Sequence, residues 1–204
     1  RLADMDRENI DIQVIYTSLF LAPLSEDPGY AAALYRSYNR YLADKLGRHE
    51  RLKWVACVSL LDAALAVQEV REAKRNGAIG ISIFGTAGQR LIDDPQLLPF
   101  WEAAAEEDLP VSVHVGWSLP ALNAMIDNVY YAGSIGFSLP VLLGFMAVIG
   151  GGILDRFPTL RVGFFEAGCE WIHFCVDRME MRYPRAKRLA AAVGAKPPVA
   201  ERSP

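Results

Sequence analysis

Histidine and cysteine are scarce in this sequence, and their scarcity narrows the chemistry that the chain can carry. The 204 residues include three histidines and three cysteines. The cysteines, Cys57, Cys169 and Cys175, are odd in number and lack the spacing of a disulfide framework. Because no signal-peptide pattern is present either, we expect a protein of the reducing cytoplasm.

Excess positive charge is also missing. Lysine and arginine total 21 against 24 acidic residues, which gives a formal net charge of -3. This balance gives no reason to expect a nucleic-acid partner. The composition is 52% hydrophobic and 22% charged, which excludes the disordered class and is typical of a globular protein.

Several motifs are incomplete. Residues 136–140, GFSLP, resemble a G-x-S-x-G nucleophile motif but end in proline and follow no clear strand. The glycine triplet at 150–152 lacks the Lys-Ser/Thr of a phosphate-binding loop. The longest apolar run, residues 137–154, is broken by Ser138, Pro140 and glycines, so we interpret it as a buried core helix that ends at the triplet. We expect no membrane span.

Short apolar runs that alternate with longer amphipathic stretches are abundant. The runs are rich in Val, Ile or Phe, as is typical of strands covered on both faces. The predicted strands are Ile12–Thr17, Lys53–Ser59, Ala78–Phe84, Pro110–Val115 and Arg161–Glu166. The predicted helices are Pro28–Leu46, Asp62–Gly77, Asp94–Asp108, a fourth from about Leu139 to Asp155, and a fifth from Cys169 to about Arg182.

This alternation predicts an α/β fold with right-handed crossovers and a parallel sheet. Five strand–helix units fit either part of a (β/α)8 TIM barrel or an open doubly wound sheet. Both folds place their chemistry at the carboxyl ends of the strands. The tail after Pro184 loses helical periodicity and is interpreted as a linker.

Two chemically active side chains lie at such strand ends. His114 ends one predicted strand, and Gly116 follows it, where a ligand or a neighbouring backbone can come close. Imidazole is a common metal ligand and a general acid or base, although a core histidine bonded to a carbonyl is the alternative. Glu166 ends the next strand, and a carboxylate there binds a metal, acts as a base or caps the following helix.

The remaining histidines are weaker candidates. Cys169 and His173 are four residues apart on a predicted helix, which resembles half of a zinc site, but the chain has no second pair. We expect a buried cysteine and a surface histidine instead. His49 lies among charged neighbours and is expected to be solvated.

Several stretches together resemble the amidohydrolase-related family of metal-dependent (β/α)8 enzymes, which includes aminocarboxymuconate-semialdehyde and resorcylate-type decarboxylases. They are RLADMDRENIDIQVIY, YNRYLADKLGRHERLKWVACVSLLD, GAIGISIFG, LIDDPQLLPFWEAAAEEDLPVSVHVG, GGGILDRFPTLRVGFFEAGCEWI and DRMEMRYP. Their order and spacing match the family down to about Pro184.

The resemblance implies specific roles. His114 would be a ligand of a catalytic divalent metal, most often Zn2+. Glu166 stands near the place of a catalytic histidine in decarboxylase members and would act on the water or the substrate. Trp117, just beyond the ligand strand, would line the substrate pocket, and residues 123–137 would form a mobile loop over its mouth.

Two family features are missing from the sequence, namely the H-x-H pair of the first strand and a late aspartate ligand. A catalytic zinc needs about three protein ligands. We therefore expect an incomplete barrel that holds strands 2–6, with a partial hydrolase domain at 1–184 and a linker, or the start of a further C-terminal part, at 185–204.

The resemblance implies a metal-dependent hydrolase or decarboxylase that acts on a small carboxylated or cyclic substrate, and we expect a homo-oligomer. The alternative is a non-catalytic or truncated barrel fragment with a structural role, because five strands cannot close an eight-stranded barrel. A third possibility, an open α/β hydrolase of another type, lacks its nucleophile motif.

Overall fold

The computed structural model describes residues 1–194. Its strands are β1 (Gln13–Ile15), β2 (Leu52–Trp54), β3 (Ala56–Cys57), β4 (Ile81–Phe84), β5 (Thr86–Ala87), β6 (Arg90–Leu91), β7 (Val111–His114) and β8 (Val162–Phe165). Its helices are α1 (Leu2–Arg7), α2 (Pro28–Leu46), α3 (Ala63–Arg75), α4 (Leu98–Glu106), α5 (Pro120–Met125), α6 (Val129–Tyr131), α7 (Leu139–Gly150), α8 (Ile153–Arg156) and α9 (Trp171–Val193).

The five predicted strands form one parallel arrangement. β1 pairs with β2, and β3, β4, β7 and β8 follow side by side, all parallel. Only Val55 separates β2 from β3. The Val55 amide donates to the Ile15 carbonyl at the end of β1, whereas the Ala56 amide donates to the Gly80 carbonyl just before β4. The extended segment 52–57 therefore changes partner from β1 to β4. The predicted α/β fold with a parallel sheet is confirmed, and over residues 1–194 the sheet does not close into a barrel.

Each strand directs alternate side chains to opposite faces. Val111 and Val113 of β7, like Ile81 and Ile83 of β4, belong to the hydrophobic core that the helices cover. The core also buries Trp101 completely, and its indole N–H donates to the Ile92 carbonyl at 2.8 Å. The opposite face of the sheet therefore carries the second set of side chains, which includes His114.

Asn39 of α2 holds β3 in place. The Asn39 side chain accepts a hydrogen bond from the Cys57 amide and donates one to the Cys57 carbonyl, both at 2.9 Å. Its second amide hydrogen is donated to Glu69 at 2.8 Å, and Glu69 also accepts from Arg36 at 3.0 Å. Asn39 and Glu69 are almost fully buried. The carboxylate and both backbone groups are thus paired in the interior, where unpaired polar groups are costly.

Helix boundaries follow the predicted caps. Asp62 accepts a hydrogen bond from the Leu65 amide at the start of α3, and Gly77 adopts a left-handed conformation just past its end, so both predicted caps are confirmed. Asp94 begins the next helical segment in the same way, since its side chain accepts from the Gln96 amide.

Two predictions about irregular segments are wrong. Residues 123–137 are not a loop, because α5, α6 and a π-helical turn at 132–136 occupy most of them, and Asn128 caps α6 through the Tyr131 amide. Helix α9 continues through Pro184 to Val193, although periodicity predicted its end near Arg182. Residues 185–193 are therefore helical, the domain boundary at 184 stays a prediction, and residues 195–204 lie outside the described part.

Two short elements were not predicted from the sequence. A short antiparallel hairpin, β5–β6, follows β4, with Gly88 in a left-handed conformation at the turn. Helix α7 ends at Gly150, as the glycine triplet predicted, and the one-turn helix α8 follows a left-handed Gly152. Both features are too short to produce a periodic signal in the sequence.

The α7 part of the long apolar segment packs in the core. α6, the π-helical turn and α7 are continuous, and by length and composition alone this 22-residue stretch, Val129–Gly150, could cross a membrane. Core helices of globular proteins pass the same test. The α7 half packs onto the sheet, where Val141 and Val148 are fully buried, whereas the first half is exposed.

Replacing Asn39 by alanine should destabilise the protein by about 2–4 kcal/mol, since Cys57 and Glu69 lose partners in the interior. Urea unfolding monitored by circular dichroism measures this difference. Ser37→Ala, at an exposed position of the same helix, is the control and should change stability by less than about 0.5 kcal/mol. An Asn39→Ala variant as stable as the control would contradict the role given to Asn39.

The three thiols should differ in reactivity. Burial raises the pKa of Cys57 to about 12 and also raises the pKa of Cys175, whereas Cys169 is exposed. We expect one fast-reacting thiol per native chain with Ellman's reagent at pH 8, and three after unfolding. Cys169→Ser should remove the fast phase; a fast phase that persists in this variant would show that a buried thiol is accessible.

Candidate functional site

His114 and Glu166 meet at the carboxyl end of the sheet. β7 and β8 are adjacent and parallel, with His114 paired in register with Phe165, so that Glu166 follows immediately beyond. His114 Nε2 lies 3.6 Å from Glu166 Oε1. The histidine side chain is 7% exposed and the glutamate side chain 62% exposed. The structure thus brings the two leading candidates together, one buried and one open to solvent.

The His114 ring is fixed by its other nitrogen. Nδ1 lies 3.1 Å from the carbonyl oxygen of Val115. Because a carbonyl oxygen only accepts, Nδ1 carries the hydrogen, and in the neutral ring Nε2 keeps its lone pair. This is the arrangement in which a backbone carbonyl orients a metal-binding histidine. The lone pair therefore faces Glu166.

Glu166 has an unusual backbone. Its φ is +64°, in the left-handed region that residues other than glycine rarely adopt. Such a conformation costs about 1–3 kcal/mol and persists where the surroundings impose it. Here it turns the chain sharply after β8 and leaves the carboxylate beside the imidazole. Sequence periodicity gave no sign of this turn.

Tyr16 is a site neighbour that the sequence did not reveal. Its ring stacks on His114 with centroids 5.8 Å apart and an interplanar angle of 26°. Its hydroxyl is hydrogen-bonded to Ser112 Oγ at 2.7 Å, and burial raises the Tyr16 pKa. Ser112 and His114 point to the same face of β7 because they are two residues apart. Tyr16 therefore packs along one side of the imidazole.

Two cavities reach this face of the sheet. A small pocket beside His114 is lined by Thr17, Phe20 and Tyr35 among others. A larger open cavity of about 450 Å3 lies further toward the amino ends of the strands and is lined by Tyr16, Ser112 and other residues. The larger volume is in the range of small-molecule sites.

Gly116 permits the close approach of a neighbouring backbone just past β7. A Cβ at this position would lie 2.7 Å from the Leu21 carbonyl oxygen and 2.4 Å from the Phe84 ring. The adjacent Trp117 amide donates to that same carbonyl at 2.9 Å. The prediction that a neighbouring backbone comes close to Gly116 is confirmed, and the contact ties the segment after β1 to the end of β7.

Trp117 is packed rather than free. Its ring contacts Phe137 with centroids 4.6 Å apart, and its indole N–H donates to the Ala132 carbonyl at 3.3 Å. Trp117 is not among the residues that line the small pocket beside His114. Its predicted role in substrate binding stays a prediction.

The weaker candidates lie apart from this site. Cys169 is exposed and precedes α9, so it does not share a helical face with His173, and the expectation of a buried cysteine there is wrong. His173 and His49 are on the surface, as expected. Within residues 1–194, no group of three or more His, Cys, Asp or Glu side chains is arranged to hold a metal ion.

Two curated relatives match most of the chain. The 2-amino-3-carboxymuconate-6-semialdehyde decarboxylase of Dictyostelium discoideum is 24% identical over 195 residues, which cover 95% of this chain and 54% of that protein. The gamma-resorcylate decarboxylase of Polaromonas sp. is 24% identical over 194 residues, which cover 89% of this chain and 59% of that protein. The chain therefore spans little more than half the length of these relatives.

Solved structures share the fold. A mutant 5-carboxyvanillate decarboxylase from Novosphingobium aromaticivorans, with bound manganese and 3-methoxy-4-hydroxy-5-nitrobenzoic acid, superposes with a TM-score of 0.77 at 25% identity. The match covers 100% of this chain and 58% of that one. A family model described as amidohydrolase matches residues 1–200. Because this match includes nearly every residue of the sequence, the chain belongs to the Amidohydrolase family.

Proposed function

We propose that this chain forms part of a divalent-metal-dependent decarboxylase that acts on small aromatic carboxylic acids. The observation that carries the proposal is the pairing of His114 Nε2 with Glu166 Oε1 at the carboxyl end of the sheet. Support also comes from the family match and from relatives whose names describe decarboxylases. The sequence allowed hydrolysis equally, and decarboxylation is preferred here because both curated relatives named above are decarboxylases.

The geometry of the pair is compatible with a bound cation. At 3.6 Å the two atoms are too far apart for a hydrogen bond, so a lone pair and a carboxylate oxygen face each other without one. A divalent ion at this place would be held through the lone pair of the His114 imidazole. An ion on His114 Nε2 would therefore lie next to the Glu166 carboxylate.

The described residues supply only part of a metal site. A catalytic site needs about three protein ligands, and His114 is one of them in this proposal. The other ligands would come from strands that complete a (β/α)8 barrel in the whole protein. The structure of the similar Novosphingobium protein contains manganese. The metal-binding experiment below therefore uses manganese as well as zinc, the ion that the sequence suggested.

Each residue then has a distinct task. When bound, the ion supplies Lewis-acid stabilisation of a substrate oxygen. His114 holds the ion, with its orientation set by the Val115 carbonyl and the Tyr16 ring. In decarboxylation the C–C bond to the carboxyl group breaks, CO2 leaves, and the ring carbon takes a proton. Glu166, exposed to solvent, is the group that delivers this proton and regains it from water.

His114→Ala should lower the affinity for Mn2+ and Zn2+ by at least about 100-fold, because it removes a direct ligand. Titration calorimetry and metal analysis of the purified protein measure the effect. His173→Ala removes a surface imidazole and is the matched control, with unchanged affinity expected. Equal metal content in both variants would remove His114 from the metal site.

Glu166→Gln should lower the rate of CO2 release from gamma-resorcylate or 5-carboxyvanillate by at least about 100-fold, because the amide cannot deliver the proton. Metal content should stay within about twofold of the unaltered protein, which separates this role from that of His114. Loss of metal equal to that of His114→Ala would show that Glu166 is a ligand instead. An unchanged rate would exclude it from the reaction.

A further inference from the structure

A second cavity adjoins the small pocket beside His114. This outer cavity lies among the segments that follow β3 and β4 and the segment that precedes α2, and its apolar walls include Leu24, Leu60, Leu61 and Ala87. Its volume is about 30 Å3, against about 20 Å3 for the pocket beside His114, which is called here the inner pocket. The outer cavity has no signal in the sequence, because its walls come from three separate stretches of chain.

Three side chains stand between the two cavities. Tyr35, Val58 and Phe84 line both of them. Tyr35 and Val58 are each 5% exposed and are held in the interior by packing. Phe84 is only half-buried and does not belong to the hydrophobic core. Phe84 is therefore the part of this wall that a substitution can change with the least effect on the fold.

Phe84 also faces the candidate site. It pairs in register with His114 on the neighbouring parallel strand, so the two side chains lie next to each other on the same face of the sheet. The Phe84 ring packs on the backbone just past β7, where a Cβ at Gly116 would lie 2.4 Å from it. The ring thus closes the side of the inner pocket that His114 leaves open.

The outer cavity is suited to an apolar group. None of the described residues that line it is charged. The hydroxyls of Ser25, Ser59 and Thr86, which also line it, are already hydrogen-bonded within the protein. A polar occupant would therefore find few free partners, whereas an apolar occupant gains from leaving water.

The inner pocket is too small for a whole ligand. Sites that enclose a small molecule have volumes of about 300–1,000 Å3, far above the 20 Å3 found here. A space of this size takes a group of about the size of a water molecule. The ring of an aromatic acid would thus lie at the mouth, beside the exposed Glu166, with only a short substituent between His114 and Phe84.

We propose that Phe84 is a specificity-determining residue that limits the length of the apolar substituent on the substrate ring. A methyl or methoxy group fits the inner pocket, whereas a longer alkoxy group meets the Phe84 ring. Loss of that ring joins the inner pocket to the outer cavity. This inference rests on the proposed function, because it takes an aromatic acid as the ligand, and it narrows the substrate class to acids with a short apolar substituent.

Equilibrium binding of two compounds to the 204-residue chain tests this inference without relying on turnover. The first is 3-methoxy-4-hydroxy-5-nitrobenzoic acid, the compound bound in the similar Novosphingobium structure, and the second is its 3-propoxy homologue. Titration calorimetry with Mn2+ present measures both dissociation constants. The unaltered protein should bind the propoxy compound at least about tenfold more weakly, since one methylene changes such discrimination by about 10–200-fold. Phe84→Ala should bring the two constants within about threefold.

Two further variants serve as controls. Phe157 is also half-buried but lines neither cavity, so Phe157→Ala should leave the discrimination unchanged. Leu61→Phe, added to Phe84→Ala, should restore the discrimination, because the new ring fills the outer cavity. Circular dichroism checks that each variant is folded. Phe84→Leu, which keeps more of the packing, replaces Phe84→Ala if that variant does not fold.

Two results would overturn the role given to Phe84. One is equal binding of both compounds by the unaltered protein, and the other is discrimination that survives in the folded Phe84 variant. If 5-carboxyvanillate still loses CO2 in either case, the proposed function stands and only this inference fails. A protein that binds neither compound and releases no CO2 would count against both.

Discussion

The hydrogen bonds between the Asn39 side chain and the backbone of Cys57 are the contact on which the arrangement of the sheet depends. β1 ends at Ile15, so the edge of β3 that faces it has no neighbouring strand to bond. A helix side chain takes the place of that strand. The chain after β1 is then free to turn away, and Thr17 and Phe20 line the pocket beside His114. The polar pairing that stabilises the interior thus also opens space at the carboxyl end of the sheet.

The candidate site combines side chains that are distant in sequence but adjacent in the sheet. Tyr16 follows β1, and Ser112 and His114 lie on β7, which is not a direct neighbour of β1, yet Tyr16 contacts both of them on the face opposite the helices. The alternation of side chains along β7 sends Val111 and Val113 into the core and leaves Ser112 and His114 on the face of the candidate site. The core and the candidate site therefore use opposite faces of the same four residues.

The sequence predicts the regular part of this structure well. The five parallel strands are continuous apolar runs, and the caps at Asp62 and Gly77 follow from local hydrogen bonding. Pro184 was misleading, because α9 continues through it to Val193. The short helical pieces at 120–136 are stabilised by contacts such as that of Trp117 with the Ala132 carbonyl rather than by periodicity. In the site, strand-end position pointed to His114 and Glu166. The stacking of Tyr16 could not be anticipated, because the residues involved are separated by about 100 positions.

The left-handed backbone at Glu166 constrains which residues this position can hold. Glycine, and to a lesser extent asparagine, adopt such a conformation readily, whereas valine or isoleucine would be severely strained. Glycine and asparagine, which fit this turn readily, have no carboxylate to place beside the imidazole. If Glu166 has the role proposed for it, selection for stability alone at this position would favour residues that cannot deliver a proton, and stability would be gained at the expense of catalysis.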